Sequence, residues 1–193
     1  MPAPESGAGM KRVVLTKPIR GIAFVPRNNE MLFLVVAELQ NVRIFKMNGI
    51  EILLKAVDDG ALLGPNTFAN LEPEDVDEIL NARDRPAFEV EWLRAAEQMD
   101  AVNLSETEAA GLLHLREKTF RTTDRAFSDV SEASGYISDD FELIGKAIAG
   151  HRENEFLAGL LEGYLKGQIP HTVIVPSPGV TLRSMVERLR QTQ

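Results

Sequence analysis

Apolar positions follow two different rhythms along this 193-residue chain. In the first third they come in short runs: Val13–Thr16, Gly21–Val25, Met31–Glu38, Val42–Met47 and Ile50–Val57. Turn-forming residues part them at Lys17-Pro18, Pro26-Arg27-Asn28-Asn29, Gln40-Asn41 and Asn48-Gly49. Short runs bounded by Pro, Gly and Asn predict strands. Both residues of Asn48-Gly49 tolerate positive φ, which predicts a two-residue type I′ hairpin turn. That turn sets Met47 against Ile50 and Phe45 against Ile52 on one face. Lys46 then opposes Glu51 beside Ile44 and Leu53 on the other, a pairing favoured on both faces. Met31–Ala37 is apolar throughout and reads as a central strand.

The rhythm changes after a turn-rich connector that includes Asp58-Asp59-Gly60 and Gly64-Pro65-Asn66. Val76, Ile79 and Leu80 share one face of a helix that Pro86 stops. Phe88 and Trp92, four apart, open the apolar side of the next, with Leu93, Ala96 and Met99 continuing it. Ser105-Glu106-Thr107-Glu108 is a capping box. It predicts a long helix to about Val130, with Leu112, Leu113, Phe120, Phe127 and Val130 as candidate core. Ser131 to Gly135 breaks the pattern. Ser138-Asp139-Asp140 then starts a short helix ending at Gly150, its carboxylates facing the positive dipole end. A further helix runs from about Arg152 to Lys166, His171–Val175 resembles a short strand, and Thr181 caps a final helix bearing Leu182, Met185, Val186 and Leu189.

These elements predict an α+β fold. An N-terminal antiparallel β-meander packs with a C-terminal multi-helix body, and one short additional strand lies near residues 171–175. The expected organisation is a disordered leader (1–9), a basic β-rich subdomain (10–57), a connector (58–71) and an acidic, mainly helical subdomain (72–193). A front of that size buries too little surface to stand alone and needs a partner surface to pack on.

Charge sharpens the division. Met10–Val57 carries eight basic and three acidic residues, whereas Asp58–Gln193 carries 13 basic and 25 acidic, within a net charge of −8. Arg20, Arg27 and Arg43 are the front-half charges free to form a docking face for a partner, unless the two halves satisfy one another. No apolar run is long enough to span a bilayer. The absence of cysteine excludes disulfides and thiolate chemistry; it suits a cytoplasmic protein, the expectation here, and a bacterial exported one as well.

Candidate chemistry is sparse. His114, His151 and His171 show no ligand spacing, so no metal or cofactor is expected. Neither a nucleophile elbow nor a phosphate-binding glycine loop occurs. Val173–Thr181 has a strand–loop–helix pattern, but Pro176 and Pro178 remove amide donors and make it a structural loop. The most unusual pattern is Gly159, Gly163 and Gly167, spaced four apart. Interior helical glycines each cost about 1 kcal/mol relative to alanine, so Gly159 and Gly163 imply close approach of another backbone. That surface is tight helix packing first, with a homo-oligomer interface and a ligand-contact surface as the alternatives.

Together these features point to a microbial, non-enzymatic protein–protein interaction module: an adaptor, inhibitor, immunity-type or chaperone-like factor. The alternatives are a nucleic-acid-binding protein using the basic front, disfavoured by the acidic body, and a hydrolase-type enzyme with no readable motif.

Overall fold

Asn48, near the start of the described residues, decides their first element. The Asn48 side chain accepts the Glu51 backbone N–H at 2.9 Å, and the Glu51 carboxylate accepts that of Asn48 at 2.8 Å. This reciprocal box opens helix α1 (Gly49–Asp58). The structure, a computed structural model, describes residues 47–69, 71–127 and 131–192. Seven more helices complete the described residues: α2 (Pro65–Phe68), α3 (Pro73–Arg83), α4 (Pro86–Asp100), α5 (Glu106–Ala126), α6 (Ser131–Ala149), α7 (Glu155–Leu165) and α8 (Leu182–Thr192).

The α+β expectation is overturned: the described residues are helical and contain no strand. The Asn-Gly hairpin is absent because Asn48 and Gly49 are the cap and first turn of α1. Ile50, Leu53 and Val57 bury one side of α1, and Ile52 and Ala56 widen it. The run that looked apolar on both strand faces is therefore one broad helical stripe. The additional strand at 171–175 is also absent, and those residues have no regular structure. The runs from Val13 to Phe45 and the leader lie outside the described residues.

Helix α6 is the hub, packing on α1, α4, α5 and α7. It begins at Ser131 and passes through Gly135, so the expected break is helix. Its buried residues include Ala133, Ile137, Phe141, Ile144 and Ala147. Gly145 lets α5 come close, since a Cβ there would meet Leu112 Cδ1 at 2.5 Å. Helix α5 opens on the capping box expected of Ser105 and Glu108. Its buried face is not the expected one, however. Leu112 and Phe127 are buried, but Leu113 and Phe120 point outward, Leu115, Thr119 and Thr123 are buried instead, and Val130 lies outside the described residues. The two threonine hydroxyls donate to the carbonyls of Leu115 and Thr119, at 2.9 and 3.0 Å, which satisfies them inside the core.

Helix α7 is buried on every side from Phe156 to Tyr164, as befits a helix through the core centre. Helix α8 covers α1 and α7 with Leu182, Met185, Val186 and Leu189. Aromatic contacts of Phe88 with Phe156 and of Phe141 with Tyr164 tie α4 and α6 to α7, with ring centroids 5.2 and 5.0 Å apart.

Candidate functional site

Three features concentrate polar chemistry: a buried network, a loop clamped to α7, and the outer surface of α3 and α4. In the network, Asp140 of α6 is fully buried and accepts three hydrogen bonds. Arg83 Nη2 donates to Oδ1 at 2.7 Å, Trp92 Nε1 to Oδ1 at 2.9 Å, and Tyr164 OH to Oδ2 at 2.7 Å. Arg83 also donates to the Pro170 carbonyl at 2.7 Å, and its guanidinium lies over the Phe88 ring, 4.6 Å from the centroid. Burial disfavours the Arg83 charge, but Asp140 and Tyr164 outweigh that and raise its pKa. Burial first, and then the Asp140 carboxylate, pushes the Tyr164 hydroxyl well above its ordinary range, so it acts as a donor. One carboxylate thus pins α3, α4 and α7 to α6. Arg83, Asp140 and Tyr164 are buried, and Arg83 Nε is left without a hydrogen-bond partner.

The glycines of α7 face an irregular segment of the same chain. A Cβ at Gly159 would land on the Ile174 carbonyl oxygen, and one at Gly163 would meet Pro170 Cγ at 2.9 Å. The approaching backbone is the segment 170–174, which lies over α7 as a loop and not as a second helix. Glu162 holds the next stretch of that loop in place. Its carboxylate accepts the Ser177 N–H at 2.9 Å and the Ser177 hydroxyl at 2.7 Å, and pairs with Lys166. The Ser177 bonds, backbone first, with help from Lys166, pull the Glu162 carboxyl down to about 2. Past the loop, the first turn of α8 is occupied by Glu153, which accepts the N–H groups of Leu182 and Arg183 at 2.9 and 3.1 Å. An internal carboxylate therefore takes the place an external anion would need. An open cleft of about 500 Å³ beside this loop is lined by Ala158, Val175 and Pro178 among others.

Outward from the network, the segment Glu72–Asp100 carries ten carboxylates against three arginines. One of the arginines is the buried Arg83, and Arg94 pairs with Glu91. Among the described residues, Glu72, Glu74, Asp75, Asp77, Glu78, Asp84, Glu89, Glu97 and Asp100 have no ion pair. The exposed side of α4 also carries Val90 and Leu93, which leave 47% and 50% of their surface in water.

Of the residues singled out from sequence, Gly159 and Gly163 are buried in α7 as described, whereas Arg20, Arg27 and Arg43 lie outside the described residues. Sequence reasoning missed Arg83, Asp140, Tyr164 and Glu162. Asp140 looked like a helix-start carboxylate because α6 was expected to begin at Ser138; in fact it sits mid-helix. The signal available was phase: Arg83 continues the Val76–Ile79–Leu80 stripe, and Asp140 falls in step with Ala133, Ile137 and Ile144. No group of three or more His, Cys, Asp or Glu among the described residues could hold a metal ion.

Comparison with known proteins adds one relationship. The family model described as Immunity protein PIM1 matches residues 52–171, from within α1 to just beyond α7, more than half of the chain. No curated protein matches the chain.

Proposed function

The chain belongs to the immunity protein PIM1 family, and from that premise we propose that it protects its bearer by binding a protein toxin in a stoichiometric, non-catalytic complex. The observation that carries this reading is the family match itself, which takes in α2 to α7 whole together with the Arg83–Asp140 network. The geometry supports it. The polar cluster around Asp140 joins α3, α4 and α7 to α6, and Glu153 fills the first turn of α8, so these groups are spent on holding helices together. A rigid, preorganised surface loses little entropy on association and favours tight binding. Among the described residues no helix is long and apolar enough to cross a membrane.

The test is made with the full chain in the cells that encode it. Tagged protein is purified with its bound partner, the partner is identified, and its gene is expressed with and without this chain. The reading expects a partner that arrests growth alone and ceases to do so when the chain is present. Recovery of no partner, or of one whose expression is harmless, overturns it.

A further inference from the structure

The described surface presents three exposed apolar patches, which differ in how their neighbouring charges are satisfied. On α5, Leu113 and Phe120 sit seven residues apart on one face. The cations on that helix are largely spent within the chain: Arg116 pairs with Asp139 and Glu142, Lys118 with Asp58, and Arg121 with Glu117. The segment 171–175 exposes Val173 and Val175 with no charge pattern to say what covers them. The α4 patch is different. Val90 and Leu93 lie one turn apart, and Glu89 and Glu97 each sit four residues from Leu93, so apolar and anionic groups share one face. The adjoining α3, joined to α4 by Asp84-Arg85 alone, adds Glu74, Asp77 and Glu78, all exposed. None of these five carboxylates meets a cation among the described residues.

From this juxtaposition of an uncovered apolar pair and unpaired carboxylates, we infer that the outer face of α4, with α3 beside it, docks a basic surface of the protein partner. The inference rests on the toxin-binding reading and names its face and the chemistry of its complement. An apolar centre ringed by charge is the ordinary anatomy of a specific interface. The face is negative on balance, its carboxylates outnumbering the exposed Arg85 and Arg94, and such a field steers an oppositely charged partner and makes association sensitive to salt. The occupant is therefore a lysine- and arginine-rich protein surface with an apolar contact for Val90 and Leu93.

The experiment uses the full-length chain and the partner co-purified with it. A zero-length carbodiimide joins carboxylates to lysines, and the joined residues are mapped by mass spectrometry. Linkages from Glu78, Glu89 or Glu97 to partner lysines are expected. Leu93→Lys, and separately Glu78→Lys with Glu89→Lys, should each weaken binding by about thirtyfold or more, an effect of hot-spot size. The charge-reversed pair should also lower the salt dependence of the association rate, while Leu113→Lys on α5 leaves affinity within about twofold. All these positions are exposed, and unchanged thermal melts confirm that the variants fold. Linkages confined to the chain itself or arising elsewhere, or α3–α4 variants that bind like the wild type, overturn this face while leaving the toxin-binding reading in place. Failure to find any complex overturns both.

Discussion

Asp140 is the residue whose removal should be felt most. Asp140→Ala leaves the Arg83 charge buried without its counterion and strands the Trp92 and Tyr164 donors. Breaking a buried pair in this way costs about 3–5 kcal/mol. Tyr164→Phe, which removes one donor only, should cost about 1–3 kcal/mol. Urea denaturation followed through Trp92, the sole tryptophan, measures both, and equal small losses would contradict the network's role. Glycines provide a matched pair. Gly135 of α6 has open space where a Cβ would go, so Gly135→Ala should stabilise by about 1 kcal/mol through helix propensity alone. Gly159→Ala meets the Ile174 carbonyl and should destabilise by about 1–3 kcal/mol despite the same propensity gain. The need for close approach at Gly159 was legible from its spacing in an apolar helix. That the neighbour is a loop was not, because spacing says nothing of what approaches.

Elements were legible where a cap and a period agreed. The α5 box at Ser105 and Glu108 and the α8 stripe could be read directly, because each pairs a local hydrogen-bonding pattern with an apolar face. The first element of the body was misread because Asn-Gly suits both a hairpin turn and a helix start. Glu51, three residues beyond Asn48, decides between them by completing the box. Asn48→Ala should therefore cost about 1 kcal/mol of body stability, the usual worth of an N-cap. Gly49 would not tell the helix from a hairpin, because in the helix a Cβ there would run into Ile148. On α5, hydrophobicity alone chose the wrong phase, since Thr119 and Thr123 become core residues only by bonding back to their own helix. The loop after α7 has its own signature. Glu162 is held at about 2 in the fold against 4.5 ordinarily. Between those values the unfolded chain holds a proton that the native one does not. The stability Glu162 contributes is thus complete above about pH 4.5 and is lost as the pH falls toward 2. Glu162→Gln should flatten the stability–pH curve in that window, and a slope identical to wild type would contradict the Ser177 clamp.

For the molecule as a whole, the acidic balance of the body was visible in composition, and the structure concentrates much of it on α3 and α4. Sequence could not locate it there, because charge counts do not distinguish carboxylates paired internally, such as Asp139 and Glu142, from those left free. The protective role we propose rests on the family match. Titrating purified chain into its captured partner, while monitoring the partner's own toxic activity, tests that role most directly. A stoichiometric binder lowers the activity in proportion to added chain and abolishes it near one equivalent. Full activity at saturating chain, or complete loss at a small fraction of an equivalent as a catalyst would produce, would contradict the account.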